Sequence, residues 1–333
     1  MESGAWSRSD APVARLVLPL RRLSVLDALD DAVAIFRSQF KEIAKVGIFS
    51  MTPTILMTIV GSAWGASISS QGDQMTGAIV EGLFGFGANV AYWFGVIFMS
   101  VAVAKMLSER LRGGRMTAGE AIRASMGKLG SVIGSGIVSA LLLGGAIILM
   151  TIGFMFVLAI AGVGAAVSGE GAVIAVAAVV MVIGGLAMIL LLPVFLSLVL
   201  FIGPAISEEA LGGIAAVERS SKLARSRFKA SYGYALGVSV LQVLFSMVFV
   251  MIVFLIMYLL FLYGGLNLET METDPRFAWI LNLVQTVTLA ITACFVAPAM
   301  AVANALMYFN LRYETEGLDI ELAYMRGIDR DEA

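Results

Sequence analysis

The chain alternates between long apolar runs and short charged segments, and that alternation predicts its elements. Leu129 to Ser207 carries one charge, Glu170, and Ala230 to Leu268 carries none. Val46 to Ala104 carries only Asp73 and Glu81. A hydrocarbon core about 30 Å thick needs about 20 residues of helix. The runs therefore predict six membrane spans: Val46 to Ala66, Leu83 to Ala104, Val132 to Met155, Val173 to Leu198, one within Tyr232 to Leu262 and one within Phe277 to Leu311. Their outer connections would be Ser67 to Thr76, the glycine-rich Gly162 to Gly171, and Asn267 to Arg276 with its three acids. Gly82, Gly85 and Gly87 open the second span and predict close helix approach there or a local distortion.

The charged segments are patterned too. From Ser24 to Val46, Leu26, Leu29, Val33, Phe36, Phe40 and Ile43 recur at helical spacing. Asp27, Asp30, Asp31, Arg37, Lys41 and Lys45 take the other side, as in an amphipathic interface helix. Between spans two and three, Thr117 to Glu120 is a capping-box pattern, and Ile122, Met126 and Leu129 would share the apolar face. Between spans four and five, Arg219, Lys222, Arg225, Arg227 and Lys229 crowd into eleven residues, with Ile214, Val217, Ala224 and Phe228 opposite.

Each such helix followed by a two-span hairpin makes a unit, at about 24–104, 117–202 and 211–311. The fold class expected is an all-α integral membrane protein, a six-helix transmembrane bundle of three repeated units. A tail (1–23) precedes this single domain (24–312), and an acidic tail (313–333) follows it. Putting both termini on the cytoplasmic side places 21 of the 22 Lys and Arg inside, all but Arg276. Basic residues mark cytoplasmic loops, so orientation in the cell (inner) membrane follows from the count.

Composition sharpens the class. A mean hydropathy of +0.93 with only 14% charged residues is far from a soluble domain, where about 25% is usual. A net charge of −2 without a recognition motif points to no nucleic-acid partner. The chain has no histidine, which removes Ser-His-Asp and Cys-His nucleophiles and most zinc or haem sites. No catalytic, cofactor-binding or metal pattern remains. The one cysteine, Cys294, lies in an apolar run and reads as a small buried residue. Ala11 to Leu20 is short, interrupted by Arg15 and without a cleavage pattern, so it does not read as a signal peptide.

Two sets of candidate residues stand out. Arg37, Lys41, Arg219, Lys222, Arg225, Arg227 and Lys229 form basic faces suited to anionic lipid headgroups or a protein partner, although topology determination explains the same residues. Glu81, Asn89, Gln242, Gln285 and Asn304 are polar within apolar runs. Glu81 could serve a transport path or simply cap the second span, and the amides could line a path or bond across helices. Gln242 and Asn304 fall in the same half of the membrane and could share a layer. Pro53, Pro193, Pro204 and Pro298 mark kinks, helix ends or the broken helices of a transporter.

Three pieces carry a family resemblance. They are Leu18-Pro-Leu-Arg-Arg-Leu-Ser24 with the Phe36-Arg-Ser-Gln-Phe40 helix, Pro204-Ala-Ile-Ser-Glu-Glu209 leading into Glu218-Arg-Ser-Ser-Lys-Leu223, and Tyr308-Phe-Asn-Leu-Arg312 running on to Gly317-Leu-Asp319. Together they resemble the bacterial membrane domain attached to some glycerophosphodiester phosphodiesterases, and its stand-alone six-span relatives. The resemblance implies architecture, not activity, because the phosphodiesterase chemistry belongs to a separate soluble domain that uses histidines. The first functional expectation is a non-catalytic module binding membrane lipid or a membrane or cytosolic protein. The alternative is a transporter or channel for a small or lipidic solute, and a membrane-embedded enzyme comes third.

Overall fold

The structure, a computed structural model, describes residues 25–168, 170–263, 288 and 291–317. Every element among them is helical: α1 (Val25–Ser38), α2 (Phe40–Ser70), α3 (Gln74–Leu111), α4 (Ala118–Met126), α5 (Leu129–Ser168), α6 (Glu170–Val199), α7 (Ile202–Glu209), α8 (Gly213–Ser226) and α9 (Phe228–Tyr263). A π-helical turn, Thr292–Val296, then leads without a break into α10 (Ala297–Glu316), with Pro298 in its first turn. Among the described residues, four stretches are long and apolar enough to cross a membrane: Phe40–Ser70, Gln74–Leu111, Leu129–Phe156 and Val182–Glu209.

Helix boundaries depart from the sequence reading in instructive ways. The single helix expected over Ser24 to Val46 breaks at Gln39 into α1 and α2. α3 begins at Gln74, well before Leu83, because Asp73 caps it by accepting the Thr76 N–H at 3.0 Å. The turn between α2 and α3 is thus only three residues, and Glu81 lies inside a helix instead of capping one. α5 runs to Ser168 and α6 starts at Glu170, so most of the glycine-rich connection is helix. The capping box at α4 is present: Thr117 Oγ1 accepts from Glu120 N, and Glu120 Oε2 accepts from Thr117 N at 2.8 Å.

The connecting helices pack through small residues as well as part of the apolar face their periodicity suggests: Val217 and Ala224 are buried and Leu29, Phe36 and Ile122 pack against the core, while other members of that face stay exposed. α1 buries Ala28, Ala32 and Ile35 and lies against α10, while Val33 stays half exposed. α4 buries Ala118, Ala121 and Ser125 and exposes Met126. α8 buries Ala216, Val217, Ser220, Leu223 and Ala224, leaving Ile214 72% exposed. Small side chains let backbones approach closely, which gains more dispersion contact than a protruding Ile would across the same gap. The same logic relocates the close glycine contacts. A Cβ on Gly82 or Gly85 would meet nothing within 4 Å and one on Gly87 would come within 3.2 Å of Met57 Sδ, whereas a Cβ on Gly95 would come within 2.6 Å of the Ser50 carbonyl, where α2 crosses α3.

The buried core is gathered at one end of the helices. It joins Ile43, Val46 and Met51 of α2, Met99 to Leu111 of α3, Phe201 and Ala205, Leu223, Tyr234 and Val238, and Ala301 to Leu311 of α10. A smaller cluster, with Val132 and Ile206, lies beside it. Away from this end the surfaces are apolar and exposed: Leu141, Leu149 and Phe156 on α5, Met247, Met251 and Phe254 on α9. Helices that meet hydrocarbon need no buried partner for such residues.

Candidate functional site at the basic end

The hub of the packed end is α7, whose residues Ile202 to Ser207 are all buried. In sequence this stretch reads as the tail of the fourth apolar run, which hides it as a separate helix. Gly203 permits its docking on α3, because a Cβ there would collide with the Ser100 side chain. Lys128, at the start of α5, donates from Nζ to the carbonyls of Ile206 and Ser207 at 2.8 and 2.7 Å. Those carbonyls lie in the last turn of the helix, so the lysine supplies hydrogen bonds there and a charge that suits the helix C-terminus. Burial pulls the Lys128 ammonium below its ordinary pKa, with the nearby Glu208 charge opposing the shift.

Two carboxylates follow in succession. Glu208, only 7% exposed, accepts from Ser207 Oγ at 3.2 Å and faces Arg112 Nη2 at 3.6 Å. Glu209 takes Arg219 Nε on both oxygens at 2.8 Å and the Tyr308 hydroxyl at 2.6 Å. Arg219 then reaches across to Glu316, with Nη2 to Oε2 at 2.7 Å and Nη1 to Oε1 at 2.6 Å. Arg312 Nε donates to Glu316 at 3.0 Å, and Arg227 pairs with Glu314 at 2.8 Å. The Glu316 and Glu209 carboxylates hold the Arg219 guanidinium more firmly charged than usual, and Arg219 in turn holds the Glu316 carboxyl below its ordinary pKa.

The second and third motif segments of the sequence thus meet in space, through Glu209, Arg219, Tyr308 and Arg312. The first lies partly outside the described residues. Its Phe36 and Phe40 rings pack edge to face at 5.4 Å, and Phe40 stacks on Phe295 at 5.3 Å.

This geometry corrects part of the basic face. Arg219 and Arg227 are not free for an outside ligand, because acids of α7 and α10 converge on them. Arg37, Lys41, Lys222, Arg225 and Lys229 are exposed at the same end. The intramembrane polar residues do not form one path. Glu81 and Asn89 are exposed, and Asn89 Nδ2 donates back to Gly85 O of its own helix at 2.9 Å. Asn304 is buried and accepts from the Tyr234 hydroxyl at 2.8 Å, while Gln242 is exposed on α9, so the shared layer pairs Asn304 with Tyr234 instead. Gln285 lies outside the described residues. Sequence reasoning missed Tyr234 and Tyr308 because a tyrosine in an apolar run reads as core, and missed Glu208, Glu209 and Glu316 because acids near basic loops read as solvated. Compared with known proteins, the chain matches no family model, no curated protein and no solved structure.

Proposed function

We propose that the chain is a non-catalytic, six-span membrane module of the inner membrane, with both termini cytoplasmic, that binds lipid or a protein partner at its cytoplasmic face. One observation carries this reading. The core and the ion-pair network lie at a single end, and there Arg37, Lys41, Lys222, Arg225 and Lys229 stand exposed without a carboxylate bonded to them among the described residues. A rigid, basic surface beside apolar helices suits anionic headgroups or an acidic partner surface. The three-unit architecture belongs to the same proposal, with α1, α4 and α8 as the surface helix of each unit.

Native mass spectrometry of protein extracted gently from its own membranes tests it. A stoichiometric protein or a retained anionic lipid is the expected result. A protein that carries neither, and instead moves a solute across liposomes, would replace it with the transporter reading, for which the π-helical turn before α10 is the structural feature to probe.

A further inference from the structure

The cations of α8 fall into two groups. Arg219, partly buried, and Arg227, at the C-terminal cap, are met by Glu316 and Glu314 of α10 at 2.6 and 2.8 Å. Lys222 and Arg225 lie between them in sequence and are exposed, with no carboxylate bonded to either among the described residues. A helix rises about 1.5 Å per residue, so these two cations stand about 4.5 and 9 Å along the axis from Arg219.

The chain leaves α10 against this same helix. Arg219 and Arg312 both hold Glu316, which pins the last turn of α10 to α8. Gly317 follows at φ 68°, the left-handed conformation that ends a helix and turns the chain. Residues 318–333 lie outside the described residues and carry Asp319, Glu321, Asp329, Asp331 and Glu332 against Arg326 and Arg330. A chain extends by at most about 3.5 Å per residue, so Asp319 and Glu321 can reach about 10 and 17 Å from Glu316. Both free cations of α8 fall within that span.

We propose that the acidic segment 318–333 docks on the exposed face of α8, pairing Asp319 and Glu321 with Lys222 and Arg225, so that the protein masks part of its own basic end. The segment continues a contact already made, since Glu314 and Glu316 just before it bind the two flanking arginines. Exposed ion pairs are individually weak. A segment tethered a few residues away, however, acts at an effective concentration of about millimolar, which no separate acidic ligand matches at low abundance. An anionic headgroup or an acidic partner then has to displace it. The proposal rests on the reading of the basic end as a ligand-binding face and supplies the regulation of that face.

The test uses the full chain in detergent, with Cys294 replaced by alanine and cysteines introduced as E218C, exposed on α8 one turn before Lys222, and I320C. The rate of intramolecular cross-linking by a short bis-maleimide is expected to fall about fivefold when D319N/E321Q is added, the scale of two exposed ion pairs. About 1 M salt, which shortens the screening length to about 3 Å, should slow it similarly. In parallel, native mass spectrometry follows phosphatidylglycerol titrated into the chain without the added cysteines. D319N/E321Q should retain about fivefold more lipid than wild type, and K222Q/R225Q should remove that gain. R123Q, at an exposed position of α4 away from this face, should change neither readout. Cross-linking indifferent to both the acids and salt would overturn the docking, and retained lipid would then leave the ligand-binding reading in place. Cross-linking that depends on the acids, with neither lipid nor a protein partner bound in any variant, would support the docking and remove that reading instead.

Discussion

Glu208 and Glu209, consecutive at the end of α7, send their carboxylates to opposite halves of the chain. Glu208 faces Arg112 of the α3 terminus and the Lys128 charge at the start of α5, while Glu209 binds Arg219 of α8 and Tyr308 of α10. Two acids at a helix C-terminus oppose its dipole, so the sequence Glu-Glu there costs stability unless cations meet both. The cations come from segments on either side of α7 in the chain, which makes this short helix a joint between the end of α3 on one side and α8 and α10 on the other.

Removing the cation on one side isolates that joint. R219A leaves Glu209 and Glu316 facing each other without their shared partner, and is expected to cost about 2 kcal/mol. That is less than a fully buried pair would lose, because Arg219 is 20% exposed. R219K should fall between, since a lysine cannot serve both acids with one planar fork. Thermal melting in detergent, compared with K222A as an exposed control, checks the order.

The same network sets an acid dependence. Hydrogen bonds from Arg219 and Arg312 lower the Glu316 carboxyl below its ordinary value of 4.5. A depressed folded-state pKa means the unfolded chain takes up the proton first, so the contribution of Glu316 is complete above pH 4.5 and fades as pH falls below it. Melting temperature followed downward from neutral pH should drop more steeply for the wild type than for E316Q, which has no proton to gain at that position.

Ala210 ends α7 at φ 49°, the one non-glycine residue with positive φ among those described. An L side chain there is strained by about 1–2 kcal/mol, and glycine removes the strain at some cost in unfolded-chain entropy. A210G should therefore raise stability by about 0.5 kcal/mol, read as a small increase in melting temperature. A loss would mean that the Ala210 methyl contributes packing that outweighs its backbone strain.

Much of the architecture was legible because polarity is written at long range. The apolar runs located α2, α3, α5, α6 and α9, and the Thr117 and Glu120 pair located the start of α4. The break at Gln39 was not legible, since Phe36 and Phe40 continue the helical period across it. The buried face was legible only in part: Val217 and Ala224 of the expected α8 face are buried and Leu29, Phe36 and Ile122 pack on the core, but Ile214 and Met126 are exposed. Periodicity weighs Ile214 and Met126 above alanine, whereas packing selected Ala216 and Ala121 because a close approach needs small residues. The site was legible only as a basic segment. Which arginines point inward depends on acids that lie 10 and 97 residues from Arg219, and spacing along one helix carries no information about those.

The reading as a whole stands on the basic end facing the cytoplasm. Single-cysteine labelling addresses that directly, with Cys294 replaced by alanine and one cysteine placed at Gln71, in the exposed turn between α2 and α3, or at exposed Lys222 of α8. In intact cells a membrane-impermeant maleimide should label Q71C and spare K222C, and in inverted vesicles the pattern should reverse. Labelling of K222C from outside would put the basic face on the wrong side of the membrane and contradict the proposed function.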